Sequence, residues 1–210
     1  MSLARFTRRA ALGAALSLAA AAAFAANVTA PQPDDMAIGS PKARVTVIEY
    51  ASAGCPHCAA WNNDVFPAFK AKYVDTGQVR FVVREMLTGS GPLATAGFML
   101  ARCAGPSGYF PLLEDVYRRQ ASMFEKDAKP GLILQDIAKA HGLDQAAFQK
   151  CLDDHAGLDA LNARTERHHS ADGVDSTPTF FVGGKKVEGE ASLADLGAAI
   201  RAARTGAAKR

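Results

Sequence analysis

Val45-Thr46-Val47-Ile48-Glu49-Tyr50-Ala51-Ser52-Ala53-Gly54-Cys55-Pro56-His57-Cys58 carries an apolar, β-branched run into two cysteines spaced by two residues. The run Val45–Tyr50 predicts a buried strand, since Val, Ile and Tyr suit a pleated surface packed on both faces. A helical pattern starts near Cys55 and extends to about Tyr73, with Trp61, Val65 and Phe69 on one face. Pro67 is expected to kink it. This places Cys55 at a helix N-terminus, expected to be open to solvent, with Cys58 one turn on. Free N–H groups at a helix start favour a thiolate, so the pKa of Cys55 is expected well below the ordinary value of about 8.5. Pro56 suits the first helical turn, where its missing N–H costs nothing. His57 can bring positive charge beside the thiolate. A strand, a helix-capping cysteine and a second cysteine one turn later make a redox-active dithiol.

Other uses of such a pair fit less well. A structural zinc site needs a second ligand pair, and Cys103 and Cys151 stand far apart in the sequence. A c-type haem site needs histidine straight after the second cysteine, where this chain has Ala59. His141, His155, His168 and His169 read as helix-surface or helix-end residues, and nothing groups them with a carboxylate as a metal site. No metal and no bound cofactor are expected.

Of the 210 residues, the first 25 differ in character from the rest. Arg5, Arg8 and Arg9 precede an uncharged Ala/Leu stretch from Ala10 to about Ala23, and Ala23-Phe24-Ala25 offers small residues at a cleavage position. This predicts a secretory signal peptide over residues 1–25, cut after Ala25, rather than a membrane anchor, for which the stretch is short. Thr7-Arg8-Arg9-Ala10-Ala11-Leu12 also resembles a twin-arginine export signal, so both export routes stay open. All 21 acidic residues lie beyond Ala25, against 21 of the 24 basic ones, so the remaining chain is near neutral. Nucleic acid is not an expected partner. In an oxidising compartment free thiols at Cys103 and Cys151 would be unusual, and a structural disulfide between them is expected. Closing a loop of that size is worth about 4 kcal/mol in the chain-entropy account.

Beyond a polar lead-in over 26–43, the pattern reads strand 45–50, helix 55–73 and strand 78–87. Five helices follow, at 93–103, 109–123, 130–141, 144–152 and 158–169. Strands resume at Thr179–Val182 and Lys186–Glu188 around Gly183-Gly184, and Ser192 caps a last helix built on Leu193, Leu196 and Ile200. The expected partition is an α/β unit over 44–88 and 173–208, interrupted by a helical domain over 89–172. That order resembles the α/β thioredoxin fold carrying an inserted all-helical domain, which is the fold expected.

Cys55-Pro56-His57-Cys58 resembles the active site of the DsbA family of periplasmic thiol:disulfide oxidants. The likeness runs over nearly the whole chain beyond Ala25. It rests on Glu49, Cys55–Cys58, the helical insert and Ser176-Thr177-Pro178-Thr179-Phe180. Gly39-Ser40-Pro41-Lys42 and the second cysteine pair resemble one bacterial subgroup. The resemblance implies a cis Thr177-Pro178 bond packed against the cysteines, freeing the backbone of Thr177 to bind an extended substrate. It also implies a buried Glu49 near Cys58 that relays its proton; the reading from the strand alone, an edge residue facing water, stays open at this point. The implied partners are reduced, unfolded exported proteins and a membrane quinone-linked reoxidant of the DsbB type. The chain is expected to act in the periplasm as a monomer. The best-known DsbA pattern has valine where Thr177 stands, and threonine also occurs in isomerase-type relatives. An isomerase or reductase, or a chaperone keeping the fold, therefore remain as alternatives. The stretch between Ala25 and the first strand is expected to leave no room for the N-terminal dimerisation domain of DsbC-type isomerases.

Overall fold

The computed structural model describes residues 32–207; the expected signal peptide lies outside them. Five strands form one mixed sheet in the order β1-β3-β2-β4-β5: β1 Met36–Ile38, β2 Val45–Ala51, β3 Val79–Glu85, β4 Thr179–Val182 and β5 Lys185–Glu188. β2 and β3 run parallel, Val45 opposite Val79 through Ala51 opposite Glu85. Parallel neighbours need a crossover, supplied by α1 (Pro56–Asp64), α2 (Phe66–Phe69) and a wider turn over Lys70–Val74. The other pairings are antiparallel. Between β3 and β4 lie five helices, α3 Gly91–Cys103, α4 Gly105–Arg119, α5 Pro130–Ala140, α6 Gln145–Leu152 and α7 His155–Ser170, and α8 (Leu193–Ala207) follows the hairpin. This is a thioredoxin fold with a helical insert. Among the described residues no helix is long and apolar enough to cross a membrane.

The alternation along the central strands sorts the core onto two faces. Val47, Ala51, Phe81, Val83, Phe180 and Val182 join the main core, while Ile48, Tyr50, Val82 and Phe181 form a second cluster behind the sheet. Trp61 anchors the main core, with its ring 4.7 Å from Phe180 and 5.6 Å from Phe66, and its indole N–H donates to Ala191 O at 2.9 Å.

Several elements depart from the sequence reading. The helix expected over 55–73 is broken at Val65, because Pro67 has no N–H to give the carbonyl four residues back. The lead-in contains a strand, β1, whose three residues are too few for periodicity to reveal; it pairs antiparallel with β3. Helix α4 starts at Gly105, four residues earlier than expected, and closes with a tight turn over Ala121–Met123. Helix α7 starts three residues earlier than expected, at His155, where the Asp154 side chain caps it.

A buried charge network joins the insert to the sheet. Glu85, at the end of β3, accepts from Arg102 Nε of α3 and Arg164 Nε of α7, both at 2.6 Å, and from the Tyr109 hydroxyl at 3.2 Å. Next to it, Arg84 donates to Asp35 Oδ1 at 3.0 Å, to the Tyr50 hydroxyl at 2.8 Å and to Asp172 Oδ2 at 3.4 Å. His168 is not on the surface as expected: it is buried, with its ring edge-on to Tyr50, and Nδ1 donates to Glu85 O at 2.9 Å. Burial pushes its pKa down. Cys103 of α3 and Cys151 of α6 are joined by a disulfide, with Cα atoms 6.0 Å apart.

Removing one partner from a buried ion pair leaves the other charge uncompensated. Glu85→Ala should therefore lower the unfolding free energy by about 3–5 kcal/mol, because Arg164 would stay buried without its carboxylate. Denaturant unfolding at neutral pH checks this, and a loss under about 1 kcal/mol would mean that the network adds nothing.

Candidate active site

Cys55 is the N-cap of α1, with extended backbone, and Pro56 takes the first helical position. Both thiols of the pair are free in this structure. The sequence reading expected Cys55 to be open, yet it is only 6 % exposed; Pro56 and His57 are the exposed members of the motif. The cover comes from segments far away in the chain. In its thiol form Cys55 Sγ donates to Thr177 O at 3.3 Å, and Gln120 Nε2 from the end of α4 reaches Ala53 O at 2.8 Å and Cys55 O at 3.3 Å. The Thr177-Pro178 bond is cis, and the Thr177 and Thr88 hydroxyls are hydrogen-bonded.

The loop ahead of the motif is held by close backbone contact. Ser90 N–H donates to Gly54 O at 3.0 Å, Ser52 Oγ donates to Thr88 O at 2.7 Å and Gly54 N–H donates to Ser52 Oγ at 3.2 Å. A β-carbon on Gly54 would lie 2.2 Å from Ser90 O, so only glycine lets the two segments approach. Cys58 is fully buried, and Ser52 N–H points at its sulfur at 3.4 Å. Glu49 stands on the central strand β2, between Val83 of β3 and Phe180 of β4, on the same face as Val47 and Ala51. At 2 % exposure it does not face water.

The two thiols are driven apart in acidity. The Cys55 thiolate accepts a hydrogen bond from the Cys58 thiol, and Thr177 and the backbone N–H groups of Cys58 and His57 add to it against the cost of burial; the pKa falls to about 5. Burial pushes Cys58 well above the usual thiol range, and its bond to Cys55 and the charges of Glu49 and Cys55 push it further. Burial, then the negative charge of Cys55, raise Glu49 to about 8. At pH 7 the site therefore holds one negative charge, on Cys55, with protons on Cys58 and Glu49.

His57 faces the outside. Its Nδ1 is 2.6 Å from Glu190 Oε1, and that bond, followed by the Cys55 charge, raises its pKa. Both side chains are well exposed, so the pair adds little to stability. Sequence reasoning did not single out Ser52, Thr88, Gln120 or Glu190. None of them carries a local signal, because each is recruited by a contact between segments remote in sequence. Cys103 and Cys151 are bridged within the insert, away from this constellation. Among the described residues no three His, Cys, Asp or Glu side chains gather as metal ligands.

The acidity pattern fixes how stability changes with pH. The lowered Cys55 pKa stabilises the reduced fold above pH 9, and that contribution is lost as pH falls to 5. The raised Glu49 pKa acts oppositely, its contribution being present below pH 4.5 and lost as pH rises through 8. The reduced protein should thus titrate by thiolate absorbance with a midpoint near 5, and Glu49→Gln should gain stability over the parent progressively from pH 5 to 8. A thiolate midpoint near 9, or a stability difference flat across that range, would contradict the assignment.

Residues 31–202 match the sequence family described as thioredoxin. A candidate protein-disulfide oxidoreductase of Rickettsia bellii is 34 % identical over 80 % of this chain and 63 % of its own length. The chain spans less than two thirds of the curated Rickettsia relatives that it matches. Disulfide bond formation protein D of Bacillus subtilis is 25 % identical over 76 % of this chain and 72 % of its own. The crystal structure of Wolbachia pipientis alpha-DsbA1 superposes with a TM-score of 0.78 and 27 % identity, covering 87 % of this chain and 97 % of that one. With a cysteine pair at a helix start, a cis proline beside it and the family match over 31–202, the chain belongs to the thioredoxin family, and its fold is similar to that of DsbA.

Proposed function

We propose that the protein donates its Cys55–Cys58 disulfide to reduced exported proteins. The observation that carries this reading is the separation of the two thiol acidities. A Cys55 pKa of about 5 lies two units below pH 7, so ionisation stabilises the dithiol by up to about 2.7 kcal/mol. For a two-electron couple that raises the potential by about 60 mV. The disulfide is correspondingly easy to give away.

A substrate thiolate attacks Cys55 Sγ, and the electron pair of the broken S–S bond leaves on Cys58. Glu49, protonated near neutrality, supplies the proton that the buried Cys58 thiolate needs. A second substrate thiolate then attacks the substrate sulfur of the mixed disulfide and expels Cys55 as a stable, low-pKa thiolate, a good leaving group. Thr177, ahead of the cis proline, would hold the substrate as an extended strand. An apolar hollow of about 300 Å³ beside the loop, lined by Leu93, Met123, Phe124, Pro130 and Leu134, suits the exposed side chains of an unfolded chain. The exchange itself needs no cofactor.

In this reading the protein is an exported, periplasmic monomer. The 1–25 segment directs it there, and a membrane quinone-linked protein of the DsbB type reoxidises it. The helical insert spans 89–172. The Cys103–Cys151 bridge has a structural role. Thr177 favours a second reading, an isomerase or reductase, since threonine at this position also occurs in isomerase-type relatives. The direction is tested by refolding a reduced, disulfide-containing substrate with stoichiometric oxidised protein. Fast oxidation, with slow insulin reduction by the dithiol form, is the expected result; the converse would favour the second reading. Exchanging Pro56-His57 for Gly-Pro should slow the oxidation and lower the potential by more than Thr177→Val shifts it, because the dipeptide sits directly on the nucleophile.

A further inference from the structure

Two buried polar atoms near the cysteine pair have no hydrogen-bond partner among the described residues, Glu49 Oε1 and the Tyr117 hydroxyl. Each residue is only 2 % exposed, so bulk water does not serve them, and interiors rarely leave such groups unmet. Tyr117 lies one turn before Gln120 near the end of α4, and residues three apart share a helix face. Gln120 on that face already reaches Ala53 O and Cys55 O. The helix is fastened to α1 beside it, where Asn63 Nδ2 donates to Tyr117 O at 3.3 Å.

The titratable groups that act most strongly on the Tyr117 hydroxyl are Cys58 and Cys55 of α1, Glu49 of β2 and Tyr109 of its own helix. Those acting on Cys58 are Glu49 and Cys55, and on Glu49, Cys55. The charge that acts on Glu49 is the negative Cys55, and its strand neighbours are Val83 and Phe180. A carboxylate formed at Glu49 therefore needs a neutral donor. The Tyr117 phenol can be that donor, and burial keeps its proton in place.

We propose that Tyr117 is a positioning residue of the Glu49 proton relay, its hydroxyl and Glu49 Oε1 together holding one internal water against Cys58 Sγ. Three polar partners are what a buried water typically has. The inference rests on the proposed role of Glu49. When the substrate thiolate opens the disulfide, the S–S bond breaks and its electron pair leaves on Cys58. The water gives a proton to Cys58 and takes the carboxyl proton of Glu49, so Cys58 ends as a thiol and Glu49 as a carboxylate. Tyr117 keeps its own proton and, by way of the water, stabilises that carboxylate. Solvent returns the proton to Glu49 after the substrate leaves.

The test compares Tyr117→Phe, Glu49→Gln and the double variant, each as the full oxidised protein, by the rate of reduction with a cysteine-containing peptide from pH 5 to 9. Trp61 fluorescence follows the reaction. Glu49→Gln should slow it by about a hundredfold near neutrality. Tyr117→Phe should slow it about tenfold, the equivalent of one hydrogen bond, and move the alkaline limb of the pH profile assigned to Glu49 upward. The double variant should be no slower than Glu49→Gln, and the Cys55 thiolate titration of reduced Tyr117→Phe should stay where the parent has it. If Tyr117→Phe does not fold, Tyr117→Met takes its place with the same expected outcomes. A slow Glu49→Gln beside a Tyr117→Phe of parental rate and profile overturns the role of Tyr117 alone. Effects that multiply in the double variant, or a shifted Cys55 titration, also overturn it. A Glu49→Gln of parental rate overturns the relay itself and this inference with it.

Discussion

Everything in the site follows from where one negative charge can be put. Cys55, Cys58 and Glu49 are all nearly or fully buried, and a second charge among them would repel the first where little solvent screens it. Cys55 takes the charge because it alone caps a helix and receives hydrogen bonds from a neighbouring thiol and two backbone N–H groups. Cys58 and Glu49 are then held protonated by the same burial and by that charge. The dithiol gains the stability of the thiolate while the disulfide gains nothing from it. This asymmetry is the chemical content of the fold.

Such a site needs walls that do not yield, and the buried ion network supplies part of them. Arg84 and Glu85, adjacent at the end of β3, tie together the lead-in, α3, α4, α7 and the loop at Asp172. The end of α4 brings Gln120 to the carbonyls of the active-site loop, and the loop after β3 brings Thr88 and Ser90 to Ser52 and Gly54. The insert is thus a structural part of the candidate active site and not an appendage to it. Its internal disulfide braces α3 against α6, behind the surfaces that touch the cysteines.

Much of this was legible in the sequence. The run 45–58 places a strand, a turn and a capped helix in order because each has a strong local cause: β-branching, glycine and an N-terminal proline. The five inserted helices and the hairpin at Gly183-Gly184 are similarly marked by their breakers. What stayed hidden depends on contacts remote in sequence. β1 is a strand only because β3 offers it an edge. His168 is in a polar stretch of α7, yet that helix turns it onto the second face of the sheet, against Tyr50. The burial of Cys55 is likewise imposed from outside its own segment, by Thr177 and Gln120. Glu49 was ambiguous for the same reason, since a lone acid in an apolar strand means opposite things at an edge and at the centre. The pairing with β3 on one side and β4 on the other decides it.

The central claim is that thiolate stabilisation at Cys55 makes this pair an oxidant. The equilibrium of Cys55–Cys58 with a glutathione redox buffer at pH 7 measures it most directly. A potential more oxidising than about −200 mV, on the oxidant side of glutaredoxin-like pairs, is predicted. A value near −270 mV, where thioredoxin-type reductants lie, would contradict the account.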